Sequence, residues 1–218
     1  MTPPSTHTSP LTDKWYHGTD AAPFVAWTFP PPAPSPADLA HTALFFTTNR
    51  AFAEGAGKTI CTVEIKPDIA VITPALGGSQ STELRKSLLK SNPLAARCTW
   101  LSDDDTWIRS WKTGEVMRFA CDMSDPTSTL LVSKGLALVE ANLRKIIASP
   151  VSDAVIKDQA MQCLTRAWIE QIVVESRKLG YQAILGTEID RWGGHAAPPA
   201  EPWLAILDPT AVSAPNWL

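Results

Sequence analysis

Cysteine is scarce and scattered in this chain. Cys61, Cys98, Cys121 and Cys163 form no CxxC pair and stand beside no paired histidines. That excludes a zinc site of the usual spacing and a disulfide framework, and predicts reduced thiols in a cytosolic protein. No companion residue in the sequence marks any of the four as a thiolate nucleophile. Long apolar runs are also missing: none approaches the roughly 20 residues that a membrane-spanning helix needs. There is no excess of positive charge. A formal charge of −3 and a pI near 5.8 argue against broad electrostatic binding along a nucleic-acid backbone. The opening Met1-Thr2-Pro3-Pro4-Ser5-Thr6 has neither the charged nor the apolar block of a secretory leader. The expected location is cytoplasmic. Delivery into a host or target cell by a dedicated secretion system, which needs no such leader, is the compatible route outward.

What the chain does contain is enough to fold. At 218 residues, with 44% hydrophobic and 19% charged residues, it can build one domain around a sizeable core, and global disorder is excluded. Nineteen prolines and nine tryptophans are both high for this length. The prolines cluster at Pro30-Pro31-Pro32 with Pro34 and Pro36, and again at Pro198-Pro199 and Pro202. They punctuate loops instead of interrupting elements.

Residues 1–13 are rich in Pro, Ser and Thr and are expected to be a disordered tail, with 14–218 as a single domain. Lys14 to His17 reads as a strand closed by Gly18, and Leu44 to Thr47 as a second. Asn49 is placed to cap a short helix over Arg50 to Glu54, ended by Gly55 and Gly57. Thr59 to Ile65 reads as a strand continued after Pro67-Asp68 by Ile69 to Ile72. The stretch from about 80 to 179 is helical. Ser81 is expected to cap a first helix, and Ser102 with Asp103 to Asp105 to open a second carrying Trp107 and Trp111 on one face. Ser133 is expected to open a third with a Leu136, Val139, Leu143 stripe, and Ser152 a fourth that ends before Gly180. Trp100, Trp107 and Trp111 are expected in the core or between insert and domain. Tyr181 to Leu185 and Trp203 to Leu207 read as late strands, separated by a Gly/Pro-rich loop.

Three local patterns carry chemistry: Tyr16-His17-Gly18-Thr19; Leu44-Phe45-Phe46-Thr47 followed by Ala51 and Ala53; and Gly180-Tyr181-Gln182-Ala183-Ile184 ahead of Trp203-Leu204-Ala205-Ile206-Leu207-Asp208-Pro209. Their order resembles the ADP-ribosyltransferase superfamily of the His-Gly-Thr type, the group of poly-ADP-ribose polymerases, rifamycin ADP-ribosyltransferases and phage or toxin domains. The resemblance implies an α+β fold with a split β-sheet core, here with a helical insert at about 80–179 that the resemblance does not cover. It implies NAD⁺ as substrate, held in a cleft between two small sheets. His17 would bond the adenosine ribose, the backbone of Gly18 would hold the nicotinamide amide, and Tyr16 and Thr19 would flank them. Phe45 would stand where relatives carry a nicotinamide-stacking tyrosine, and Phe52 could supply the aromatic that relatives carry near Ala56. The other reading of His17 is a strand-end histidine satisfied by local backbone.

Cleaving the nicotinamide–ribose bond builds oxocarbenium-like charge, which a fixed carboxylate stabilises. The resemblance puts that carboxylate where this chain has Trp203. Glu201 is the candidate if a bulge beside Pro202 brings it in, and a solvated loop glutamate is the alternative. Glu188, Asp190 and Asp68 are the other carboxylates to weigh; for Asp68 a turn role after Pro67 is the simpler reading. Arg191, Trp192 and His195 look like acceptor contacts. The implied activity is mono-ADP-ribosyl transfer to a macromolecular acceptor, protein more than nucleic acid, in a phage or bacterial effector. NAD⁺ glycohydrolysis and a non-catalytic interaction module on the same scaffold are the alternatives.

Overall fold

A computed structural model describes residues 11, 13–32, 41–91, 95–121, 124–147, 151–189 and 200–218. Its strands are β1 (Trp15–Thr19), β2 (Leu44–Thr47), β3 (Thr59–Val63), β4 (Val71–Ile72), β5 (Ala183–Ile189), β6 (Ala200–Ile206) and β7 (Asn216–Trp217). Its α-helices are α1 (Arg50–Ala56), α2 (Gly78–Ser91), α3 (Asp104–Thr113), α4 (Pro126–Ile146) and α5 (Asp153–Lys178). The strands form one seven-stranded sheet in the order β4-β5-β6-β2-β1-β3-β7. Only β4 and β5 run parallel; the other neighbours are antiparallel. The α+β class is as expected. The two small sheets flanking a cleft are not found among the described residues, because β6 pairs with both β5 and β2 and joins the halves into a continuous surface.

Alternation along the strands gives the sheet two different faces. On one, Trp203 and Ala205 of β6, Ile184 of β5 and Ile72 of β4 meet Leu84 and Leu88 of α2, Trp107 and Trp111 of α3, and Trp168 and Ile172 of α5. On the other, Trp15, Leu44, Phe46, Leu204 and Ile206 meet Ala211, Val212 and the rings of Trp27 and Phe29. The helical stretch is therefore largely the second layer of the core. Only α4 stands outside it: Leu143 packs with Ile156 and Ala160 of α5 in a satellite cluster.

Local chemistry sets most helix starts. Asn49 Oδ1 accepts from Ala51 N at 2.9 Å and Phe52 N at 3.3 Å, Asp103 accepts from Thr106 N, and Ser152 accepts from Val155 N, each satisfying donors that a helix leaves unpaired. α4 begins seven residues before Ser133. Asp125 caps it through Thr127 N and Ser128 N, and Pro126 takes the first turn, where its missing N–H costs nothing. Ser81 is no cap. It is buried inside α2, where its hydroxyl accepts from Trp107 Nε1 at 3.0 Å and donates to the Pro74 carbonyl at 2.9 Å.

β5 and β6 extend further than their apolar runs. Their register continues without a break from Ala183↔Ile206 to Ile189↔Ala200. Pro202 is tolerated because β2 pairs with β6 only as far as Trp203, leaving β6 an edge beyond it. Arg177, near the end of α5, donates to the Leu207 carbonyl at 3.1 Å and to the backbone and hydroxyl of Thr42, while Glu170 accepts from Thr42 N at 2.8 Å. Glu175 is buried. Burial would raise its pKa, but bonds from Lys178, Ser87 and Gln171 outweigh that and hold it below the ordinary glutamate value. Among the described residues no helix is long and apolar enough to cross a membrane.

Trp107→Ala should cost about 3–5 kcal/mol in urea unfolding by leaving a large cavity. Ser81→Ala, which strands the indole N–H, should cost about 1–3 kcal/mol.

Candidate functional site

The sheet places the three sequence patterns side by side. Tyr16 of β1 faces Thr47 of β2, Thr47 faces Trp203 of β6, and Trp203 faces Gly186 of β5. Residues from both ends of the chain thus form one row.

His17 shares a face with Trp15 and lies under the Trp27 ring, edge-on at 5.3 Å, and against Phe46 at 5.6 Å. Its Nδ1 lies 2.8 Å from the Phe45 carbonyl. A carbonyl only accepts, so Nδ1 carries the proton and Nε2 of the neutral ring is an acceptor. Burial lowers the pKa of His17, and the bond to Phe45 opposes that only in part. The half-buried ring is therefore fixed in tautomer by local backbone, with Nε2 as the acceptor of the neutral ring.

The neighbours of His17 behave differently from the implied NAD⁺ clamp. A Cβ on Gly18 would lie 1.8 Å from the Ala53 carbonyl oxygen. Glycine is needed there to let α1 seat on β1. Gly57, at the end of α1, packs equally closely on the backbone of Thr19, whose hydroxyl accepts from Ala21 N at 3.1 Å. The Tyr16 ring lies 5.6 Å from Lys14 Nζ. Phe45 must be corrected as a nicotinamide platform shared with His17. Alternation turns its ring to the opposite face, where it stacks on Trp203 at 5.4 Å and 26°. Phe52 is half-buried on α1 and Ala56 exposed at its last position.

The bulge expected beside Pro202 is absent. Glu201 sits in regular register directly opposite Glu188 of β5, on the face that carries Trp203. Paired positions bring the two carboxylates together at the open end of the β5–β6 ribbon. Arg118 Nη1 lies 3.4 Å from Glu188 Oε1, so one of the two charges is countered. Glu201 and His17 are on opposite faces, and the structure does not bring them together. Asp68 is exposed at φ 64°, a left-handed turn residue after Pro67. Asp190, Arg191, Trp192 and His195 lie outside the described residues.

Arg118 and Trp27 are the contacts that sequence reading missed. Trp27 lies just ahead of the proline cluster, and nothing local in the sequence ties it to His17. Arg118 is 70 positions from Glu188, and nothing local marks it. An open polar groove along α2, lined by Thr82, Glu83, Lys86, Lys90 and Leu179, contains none of these residues. Among the described residues no three His, Cys, Asp or Glu side chains could hold a metal ion.

Ring-proton NMR of His17 should give a pKa below 6.5. The unfolded chain binds the proton more readily, so this histidine's contribution to stability is complete above 6.5 and is lost as pH falls through the folded value. His17→Phe should flatten that part of the pH–stability profile.

No protein-family model matches the sequence, and no curated protein matches it. A solved structure titled "Crystal structure of an anti-CRISPR protein" is similar at a TM-score of 0.41 and 12% identity, over 98% of this chain and 100% of that one. A likeness at that level is below a shared fold and assigns no activity to this chain.

Proposed function

We propose that the chain is a mono-ADP-ribosyltransferase that uses NAD⁺ as substrate and a macromolecular acceptor, protein more than nucleic acid, as an effector of phage or bacterial origin. One observation carries the reading: the His-Gly-Thr strand, the Leu-Phe-Phe-Thr strand and the late apolar strand, distant in sequence, are consecutive neighbours β1, β2 and β6 in the sheet. His17 supports it by presenting Nε2 as an acceptor, the polarity that a ribose hydroxyl requires.

In this reaction the bond between ribose C1′ and the nicotinamide nitrogen breaks. The electron pair goes to the leaving ring, an acceptor nucleophile attacks C1′, and its proton passes to base. Glu201 is the carboxylate proposed to stabilise the positive charge at the ribose, which requires NAD⁺ to pass from the His17 face round the open end of the sheet, where Glu188 stands opposite Glu201 and Arg118 offsets the second carboxylate. A second reading, a non-catalytic interaction module, is favoured by one geometry: Phe45 and Glu201 lie across the sheet from His17.

Labelled NAD⁺ separates the readings. Label transferred to macromolecules supports transfer, release of free ADP-ribose alone indicates a glycohydrolase, and neither binding nor consumption leaves the interaction module. Glu201→Gln should reduce transfer by about 100-fold or more with NAD⁺ binding retained, since the carboxylate acts on the transition state. His17→Ala should weaken NAD⁺ binding by up to about tenfold, the value of one hydrogen bond, with the fold intact by circular dichroism. Wild-type affinity in that variant would remove His17 from the site.

A further inference from the structure

The cysteines are dispersed in sequence, yet two of them meet in the fold. Cys98 and Cys121 are directly opposed partners of an isolated antiparallel bridge outside the main sheet. Thr99 N donates to the Ala120 carbonyl at 2.7 Å, the bond that flanks such a pair. Cys98 and Cys121 therefore occupy a non-hydrogen-bonded position, where Cα atoms are about 4.5 Å apart and side chains approach most closely. That separation falls inside the roughly 4.4–6.8 Å a disulfide spans. Both cysteines are free thiols. The two short segments are also fastened on either side of the pair: Trp100 Nε1 donates to the Arg118 carbonyl at 2.7 Å, and Arg97 pairs with Asp125 at 3.0 Å.

We propose that Cys98 and Cys121 form an oxidation site that closes to an intramolecular cross-strand disulfide when a peroxide is supplied. Cys98 is 3% exposed, whereas Cys121 is only half-buried, so the peroxide reaches Cys121 first. The Cys121 sulfur attacks one peroxide oxygen, the O–O bond breaks, and a sulfenic acid and one water form. The Cys98 sulfur then displaces the sulfenic oxygen as a second water and the S–S bond closes. Two thiols lose two electrons and two protons, and hydrogen peroxide becomes two waters. Burial pushes the Cys121 thiol up to about 11, with Arg97 opposing, and the Cys98 thiol up to about 12. Little thiolate exists at neutral pH, so attack on the peroxide is slow there and quickens as pH rises toward the Cys121 value. Closure ties residues 97–100 to 118–121 and so fixes Arg118, whose guanidinium meets Glu188. Cys61 faces His17 and Trp217 within the sheet, and Cys163 lies on α5; neither is opposed to a cysteine strand partner, so both serve as internal controls.

The full chain, purified reduced, is exposed to hydrogen peroxide under native conditions, alkylated, digested without reduction and mapped by mass spectrometry. Free thiols should fall from the four in the sequence to two, with one linked peptide joining Cys98 to Cys121 that reducing agent splits. The same treatment in denaturing urea should give no preference for that pair. A native protein that keeps four thiols, a sulfinate at Cys121 without the linked peptide, or linkage through Cys61 or Cys163 overturns the proposal. Cys98→Ser and Cys121→Ser should each abolish the linkage, and the wild-type map decides the matter even if a variant folds poorly.

Discussion

A continuous row of aromatic contacts holds the helical layer on the sheet. Trp107 meets Trp111 edge-on at 5.4 Å, Trp111 leans on Trp203 at 6.5 Å, Trp203 stacks on Phe45, and Phe45 meets His41 at 5.0 Å. The row needs a gap in the sheet. Gly186 provides it, since a Cβ there would lie 2.7 Å from the Trp111 ring. With α3 seated so closely, its terminal Gly114 packs on the backbone of Glu188, and the turn that follows delivers Arg118 to the Glu188 carboxylate. The geometry of the acidic pair thus descends from a packing requirement many residues away.

The same row explains why a tryptophan occupies the position where the family resemblance calls for a glutamate. Trp203 is 4% exposed and sits between Trp111 and Phe45. A carboxylate there would be desolvated among indoles with no cation beside it, which is unfavourable by several kcal/mol in order of magnitude. The acidic side chain of β6 appears instead two residues earlier, at Glu201, where β2 has ended and Glu188 of β5 lies opposite. The chemistry proposed for this chain therefore rests on the rim of the sheet, at Glu201 and Glu188, and not on its centre.

Local signals in the sequence translated well into structure. Asn49, Asp103 and Ser152 were readable as caps because a cap concerns only the next three residues, and Gly180 was readable as a stop because φ +88° suits glycine. The paired tryptophans of α3 were readable as core from their spacing. What stayed hidden was non-local. The start of α4 lies ahead of its apolar stripe, at Asp125-Pro126. The full length of β5 and β6 depends on each strand recruiting polar residues of the other, and the Arg118–Glu188 and Cys98–Cys121 meetings join positions with no sequence relation. The two faces of the sheet were equally unreadable: a strand's period is legible, but which of two neighbouring phenylalanines faces the helices depends on register with distant strands.

The Arg177 clamp has a consequence for how the molecule opens. The guanidinium bonds Thr42, just ahead of β2, and Leu207, just after β6, so the last turn of α5 closes over the point where two central strands begin and end. Unwinding that turn frees the carbonyls flanking both strands at once, and releasing either strand leaves a half-buried guanidinium short of partners. These parts should open as one cooperative unit. α4, whose packing cluster is confined to the first half of α5, stands outside that unit and is free to fray on a faster timescale without disturbing the sheet.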